Sequence, residues 1–194
     1  MPLYEDTRRA LTVFPVDSAR WSDLELLFGD RGACGGCWCM YWRVEKASFE
    51  SGKGDANRIA LRELVMSGEP VGVLGYRGDV PVGWCSIAPR KAYPRLERSR
   101  ALKRVDDRPV WSVGCLFVER RHRHQGVSSE LVQGAVEYAR VNGATIIEAY
   151  PVVPHGDGMP GAFLWTGVPS AYRALGFTEV VRRTRTRPVM RLFL

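Results

Sequence analysis

No stretch of this 194-residue chain approaches the roughly 18 uninterrupted apolar residues that a membrane-spanning helix requires. The opening MPLYEDTRRALTVFP also lacks the apolar core of a secretory signal, so the expected setting is the cytoplasm, with no membrane partner. Lysine is nearly absent: Lys46, Lys53, Lys91 and Lys103 stand against 24 arginines. No internal repeat and no Ser- or Gly-rich linker divides the chain, and residues 1–194 are expected to form one domain. The five cysteines (Cys34, Cys37, Cys39, Cys85 and Cys115) are odd in number and carry no secretory context, which argues against a disulfide framework. Zinc is not expected either, because no Cys or His stands at a convincing spacing to complete four ligands around Cys34, Cys37 and Cys39.

What is present is an ordinary globular balance, 45% hydrophobic and 25% charged, which excludes a disordered chain. The net charge of +7 should attract something anionic. The positive residues are scattered, however, and no helix-turn-helix or aromatic RNA-binding signature accompanies them, so nucleic acid is disfavoured as a partner.

Periodicity and punctuation give a mixed α/β order. Thr12 to Val16 reads as a strand, and Asp17 or Ser18 can cap a helix that ends near Gly29. Asp55 to Ser67 has helical apolar spacing at Ile59, Leu61, Leu64 and Val65, with Gly68 placed to stop it. Val71 to Tyr76 and Val82 to Ala88 are short β-rich runs around Arg77-Gly78-Asp79, a hairpin signal. The basic run from Arg90 to Arg108 reads as an exposed connection. Val110 to Val118 is expected as a buried strand, and Val127 to Val141 as an amphipathic helix with Glu130, Gln133, Glu137 and Arg140 on its polar face. Thr145 to Tyr150 supplies a strand, Pro169 to Leu175 a short helix, and Phe177 to Arg183 and Pro188 to Leu194 two more strands. Arg182, Arg183, Arg185 and Arg187 are expected to decorate an edge or exposed strand face as solvated charges, with attraction of an acidic acceptor as the alternative.

The informative stretch is LFVERRHRHQGVSSELVQGA: a buried strand, a tight basic turn with one glycine, then a helix start. A helix N-terminus offers free backbone N–H groups and the positive end of a dipole, which suits a diphosphate. Gly126 would let the main chain approach the anion closely, and Ser128 or Ser129 could add a hydroxyl. Read as a pattern, Leu116-Phe117-Val118 followed by Arg123-His124-Gln125-Gly126-Val127-Ser128 resembles motif A of the GNAT superfamily of acyl-CoA-dependent N-acyltransferases, whose turn reads Arg/Gln-x-x-Gly-x-Gly/Ala. Ser128 departs from the Gly or Ala preferred there. Downstream, Tyr172-Arg173-Ala174-Leu175-Gly176-Phe177 is similar to the family's Tyr-x-x-x-Gly-Phe element.

The resemblance covers nearly the whole chain and implies a fold, a co-substrate and a set of site residues. The fold is an α/β (α+β type), mixed and mostly antiparallel sheet flanked by helices, with a splay between the fourth and fifth strands, 110–118 and 145–150. Acetyl-CoA is the implied co-substrate: Arg123, His124, Gln125, Gly126, Val127 and Ser128 would hold its diphosphate, and the backbone of Leu116, Phe117 and Val118 would pair with its pantetheine arm as an added strand does. Backbone donors there could also hold a developing oxyanion. Gly114, inside an apolar strand, is compatible with a bulge, with close ligand approach or with simple packing.

Transfer from a thioester to an amine needs alignment, a neutral attacking amine and a proton for the departing thiolate. Tyr172 matches the family position whose phenol donates that proton; a plain packing tyrosine is the bland alternative. Glu148, an acid in the apolar strand TIIEAY, is the first candidate base, against a solvent-facing or arginine-paired Glu; Glu119 is the fallback. Cys115 raises a covalent acyl-cysteine route, but a cysteine in a buried strand is ordinarily inert and direct attack is preferred. Trp38, Tyr41 and Trp42 are expected to pack the early Cys-rich segment on the sheet and wall the acceptor pocket. The loop from Pro151 to Gly167, with His155 and Asp157, is placed as an acceptor gate.

The expectation is thus an N-acetyltransferase acting on a small-molecule or peptide amine, with a non-catalytic CoA-binding module as the alternative and a homodimer as a compatible assembly.

Overall fold

A computed structural model of the chain describes residues 2–6, 11–154 and 164–194. Among them, eight strands form one sheet: β1 (Tyr4–Asp6), β2 (Leu11–Pro15), β3 (Gly72–Arg77), β4 (Val80–Pro89), β5 (Trp111–Val118), β6 (Ile146–Ala149), β7 (Thr178–Arg182) and β8 (Pro188–Phe193), in the order β1-β2-β3-β4-β5-β6-β8-β7. Only the β5–β6 pair is parallel. The sheet is therefore mixed and mostly antiparallel. Because β1 precedes the first strand expected from the sequence, the splayed strands are the fifth and sixth rather than the fourth and fifth.

The helices are α1 (Trp21–Phe28), α2 (Lys46–Ser51), α3 (Asp55–Met66), α4 (Pro94–Glu97), α5 (Val127–Val141) and α6 (Pro169–Ala174). Asp17 caps not α1 itself but the 3-10 turn Ser18–Arg20 that leads into it, its carboxylate accepting from the Arg20 amide at 3.0 Å. The short helices α2 and α4 were not legible in the apolar spacing, being one turn or little more.

The sheet is covered on both sides, which the strict alternation of strand side chains makes possible. On one face, Val73, Cys85, Ile87, Val113, Ile147, Ala149 and Met190 pack against the apolar stripe of α5, with Leu131, Ala135 and Ala139 fully buried. On the other, Leu74 and Trp84 meet Leu24 and Phe28 of α1, Leu61 and Val65 of α3, and Trp38 from the Cys-rich segment. Glu130, expected on the polar face of α5, is buried; it lies in the helix's first turn, where the positive end of the dipole favours a carboxylate.

Residues 90–108 expose Lys91, Arg98, Arg100, Lys103, Arg104 and Arg108, as their charge suggested, but the segment is more than a connection. It folds over the sheet, burying Arg90, Tyr93, Leu96 and Leu102 beside Tyr150 and Val189. The reason is electrostatic. Arg191, buried in β8, donates to both oxygens of Asp106 (2.7 and 2.9 Å) and to Glu148 in β6 (2.8 Å), while Arg90 donates to Glu97 (2.7 Å), Glu148 (3.0 Å) and the Tyr150 phenol (2.7 Å). The segment is thus tied to the sheet by one charge of each sign, its Arg90 to Glu148 of β6 and its Asp106 to Arg191 of β8.

Helix α5 lies close on the sheet because glycines face it. A Cβ on Gly134 would fall 2.5 Å from Val13 Cγ1, and one on Gly83 would fall 2.6 Å from Leu131 Cδ1. Val13 is a β-branched side chain on an inner strand with little freedom to yield. Gly134→Val is accordingly expected to lower the unfolding free energy by about 1–3 kcal/mol, the usual cost of overpacking, and a urea titration that finds no loss would contradict this packing account.

Candidate active site

The candidate site is built on the half of β5 that has no β6 neighbour. The parallel ladder runs from Trp111↔Ile147 to Val113↔Ala149 and stops there. On the other edge, β4 pairs Ile87 with Val113 and Ser86 with Cys115, so Gly114 is the extra residue of a bulge. Beyond it, alternate residues turn their backbone to β4 or to the gap. Glu119 donates to Val82 O at 2.9 Å, which directs Phe117 and Glu119 to β4, while Gly114, Leu116 and Val118 face the gap. The chain engages each of these three. The Trp42 indole donates to Gly114 O (3.0 Å), the Leu116 amide donates to Trp165 O (2.6 Å), and Arg123 Nε donates to Val118 O (2.9 Å). Of the residues expected to line a pantetheine arm, Leu116 and Val118 thus present backbone to the gap, and Phe117 presents its backbone to β4.

β5 runs directly into the basic turn and α5. Gly126, the N-cap residue, is left-handed (φ +83°), as is His124 (φ +61°). The amides of Ser129 and Glu130 fold back onto Gly126 O (2.9 and 3.3 Å). Val127 and Ser128, the first two helical residues, have no intrahelical acceptor for their amides. The Val127 side chain is buried against the sheet, so only its backbone can serve a ligand. Sequence reasoning missed the residue that fixes this turn from outside: Arg77, at the end of β3, donates to Gln125 Oε1 (2.6 Å) and meets His122 Nδ1 at 3.1 Å, while Gln125 Nε2 donates to Arg121 O (2.8 Å). Only the pairing of β3 with β4, and of β4 with β5, brings Arg77 there, and no local motif announces it. Arg77 Nε is buried without a hydrogen-bond partner.

Tyr172 in α6 is 1% exposed, and its phenol donates to Thr166 O at 3.2 Å. Burial, with smaller contributions from the neighbouring Cys85 and Cys115, holds the phenol well above its ordinary pKa. The three consecutive residues Trp165, Thr166 and Gly167 cross the mouth of the splay, their carbonyls accepting respectively from Leu116, from Tyr172 and from the Val152 amide (2.9 Å) that follows β6.

Glu148 is 1% exposed and is paired with arginine. Its Oε1 accepts from Arg191 (2.8 Å), and its Oε2 accepts from Arg90 (3.0 Å) and from the Tyr150 phenol (2.7 Å). Both oxygens are taken. Glu119 caps the turn through Oε2 alone, which accepts from the Arg121 amide at 2.8 Å. A 410 Å³ cavity lined by Arg90, Arg104, Arg108 and Arg191 with Asp106 and Glu148 opens beside this network. It lies at the β6-paired end of β5, away from the splay.

Three of the cysteines, Cys37, Cys39 and Cys115, form a cluster beside β5. Cys115 Sγ lies 3.3 Å from Cys39 Sγ, which also accepts from the Trp84 indole at 3.0 Å. The hydrogen bond to Cys115 and burial raise Cys39, and the contact with Cys39 and burial raise Cys37, so both stay as thiols. Among the described residues no group of three or more His, Cys, Asp or Glu is arranged to hold a metal ion. Trp38 packs into the core, stacked on Trp21 at 6.1 Å, whereas Tyr41, Trp42 and Trp165 gather at the splay with ring centroids 4.7–5.7 Å apart. His155 and Asp157 lie outside the described residues.

The sequence profile of the acetyltransferase (GNAT) family matches residues 38–158. In fold, the chain is similar to yncA from Salmonella typhimurium, whose structure holds its cofactor acetyl-CoA (TM-score 0.53, 16% identity, 95% of this chain and 94% of that one). It is also similar to a GNAT acetyltransferase from Streptococcus agalactiae (TM-score 0.55, 10% identity, 95% of each chain) and to the ribosomal-protein-alanine N-acetyltransferase of Brucella melitensis (TM-score 0.52, 16% identity, 94% and 99%). No curated protein sequence matches this one.

The geometry of Glu148 makes it a staple. Glu148→Ala would remove the buried acceptor that Arg90, Arg191 and Tyr150 share, leaving Arg90 to Glu97 and Arg191 to Asp106, and is expected to cost about 1–3 kcal/mol of unfolding free energy. A denaturant series in which the variant matches the parent would contradict that role.

Proposed function

Because the chain belongs to the GNAT acetyltransferase family, we propose that it moves an acetyl or short acyl group from acetyl-CoA to a primary amine by direct attack while both are bound. The observation that carries this reading is the continuity of three parts: an unpaired strand end, a left-handed glycine that starts a 15-residue helix, and a buried phenol at the gap between β5 and β6. Residues 1–194 act as one catalytic domain in this reading.

Acetyl-CoA supplies the activated acyl group. The amides of Val127 and Ser128, opened by Gly126, hold its diphosphate, with Arg123, His124 and Gln125 lending positive charge and polar contacts around the turn. The fit rests on two features of the turn: forward amides without intrahelical acceptors, and the guanidinium of Arg77 behind them with its Nε unpartnered. Leu116 C=O and Val118 N–H, turned to the gap, serve the pantetheine amides. The Leu116 amide already donates to a carbonyl oxygen, that of Trp165, and a thioester carbonyl in its place would receive the same donor as charge develops on oxygen.

Tyr172 keeps its proton because burial disfavours the phenolate, and it delivers that proton to the departing thiolate. Both oxygens of Glu148 are taken and Glu119 spends Oε2 on capping the basic turn, so water is the acceptor assigned to the amine's proton; Glu148 acts at a distance by fixing Tyr150 and Arg90. Cys115 points to Cys39 and takes no covalent part.

A second reading, binding of CoA without transfer, draws on the same closures: the Leu116 amide and the Tyr172 phenol are both satisfied by the segment 165–167. CoA release measured with a panel of amines separates the two. Tyr172→Phe is expected to lower kcat by about 10²-fold or more while leaving the calorimetric affinity for acetyl-CoA nearly unchanged. Equal loss of both would remove the acid role. With the phenol held above its ordinary range, the parent enzyme's rate should show no decline from phenol ionisation up to about pH 10.

A further inference from the structure

Arg187, one of the arginines expected on an exposed strand face, lies instead against the splay. It precedes β8, half-buried, and its Nη1 donates to Thr166 Oγ1 at 3.3 Å. The same Thr166, itself 1% exposed, accepts the Tyr172 phenol on its backbone oxygen. A single residue therefore joins the proposed proton donor to a guanidinium. Tyr41 stands beside Arg187, close enough to act on its charge, and brings Trp42 and Trp165 with it (ring centroids 4.7 and 5.3 Å).

The guanidinium is undersupplied with acceptors. Arg90 and Arg191, the other arginines drawn into the fold near this sheet, each hold two carboxylates. Arg43 spends its Nη2 on the carbonyls of Pro70 and Val71 and lies over the Tyr93 ring. For Arg187, among the described residues, no carboxylate lies within ion-pair distance, and the side chain makes one long hydrogen bond out of five N–H donors. Burial pulls its pKa down, the sign of a charge that has lost water without gaining an anion. A planar fork left open in that way matches a carboxylate better than any neutral group.

This deepens the acyl-transfer reading and rests on it. We propose that Arg187 binds the carboxylate of the acceptor, so that the substrate is an amine carrying its own carboxylate, an amino acid or a short peptide, whose apolar part lies on the Tyr41–Trp42–Trp165 wall. The diphosphate of the acyl donor is not the anion concerned, because its site is the turn at Gly126, at the far end of the unpaired part of β5.

The test is a matched set of acceptors: phenylalanine, phenylalaninamide and phenethylamine, together with leucine and leucinamide, compared by kcat/KM at equal concentrations of free-base amine. The acids are expected to exceed their amides by roughly tenfold or more, the scale of one charge-assisted bidentate contact. In Arg187→Ala that preference should fall to about twofold or less through a rise in KM, with Arg187→Lys intermediate, while calorimetry with acetyl-CoA checks that the fold and the donor site are intact. Transfer to amides and acids alike in the parent, or an Arg187→Ala loss that is equal for both, overturns the carboxylate role and leaves acyl transfer standing. Binding of acetyl-CoA with no transfer to any amine overturns the acyl-transfer reading and this inference together.

Discussion

The end of the parallel ladder between β5 and β6, at the Val113–Ala149 pair, is the constraint on which the rest of the site depends. A continuous ladder would satisfy every backbone group of β5 and leave nothing for a ligand to meet. Two features stop it. Gly114 is spent in a bulge against β4, and the strand after Ala149 passes through Tyr150 to Pro151, which has no N–H to offer. Tyr150 is fixed by hydrogen bonds to Ser112 (2.7 Å), Arg90 and Glu148, so β6 has no freedom to slide back into register.

The cost of leaving a strand end unpaired is met locally. Backbone groups without partners in a partly buried gap are expensive, at about 1–3 kcal/mol each, and here the Trp42 indole, the Trp165 carbonyl and the Arg123 side chain take one group from each of the three gap-facing residues. Those closures come from three different parts of the chain: the Cys-aromatic segment, the segment before α6, and the basic turn. The splay is therefore a place where distant segments converge on backbone hydrogen bonds that a ligand can exchange, one carbonyl for another.

The order of strands and the long helices was legible because it rests on local signals. Hydrophobic alternation, the Val127–Val141 stripe and the glycines at helix ends each act within a dozen residues. The turn at Gly126 and the Tyr172 element were legible for the same reason, as contiguous motifs. The misreadings have a common physical origin, the pairing of charges far apart in sequence. Composition made 90–108 look like a solvated basic loop, yet Arg90 meets Glu148 across 58 positions and Arg191 meets Asp106 across 85. The same network occupies Glu148, whose place in an apolar strand had suggested a base. Arg77 was passed over, and Arg187 was left as one of four solvated arginines, because their importance lies in what they stand beside, the Gln125 turn and the Thr166–Tyr172 contact, and neither neighbour is near them in the sequence.

The central claim, that the unpaired end of β5 and the first turn of α5 together hold an acyl-CoA, is tested most directly by amide hydrogen exchange with and without acetyl-CoA. Slowed exchange at Val118, Val127 and Ser128 on adding the thioester, with the β1–β2 pair unchanged, is the predicted result. Exchange that stays the same at those three amides at saturating acetyl-CoA, or protection that appears only around the arginine-lined cavity beside Glu148, would contradict the account.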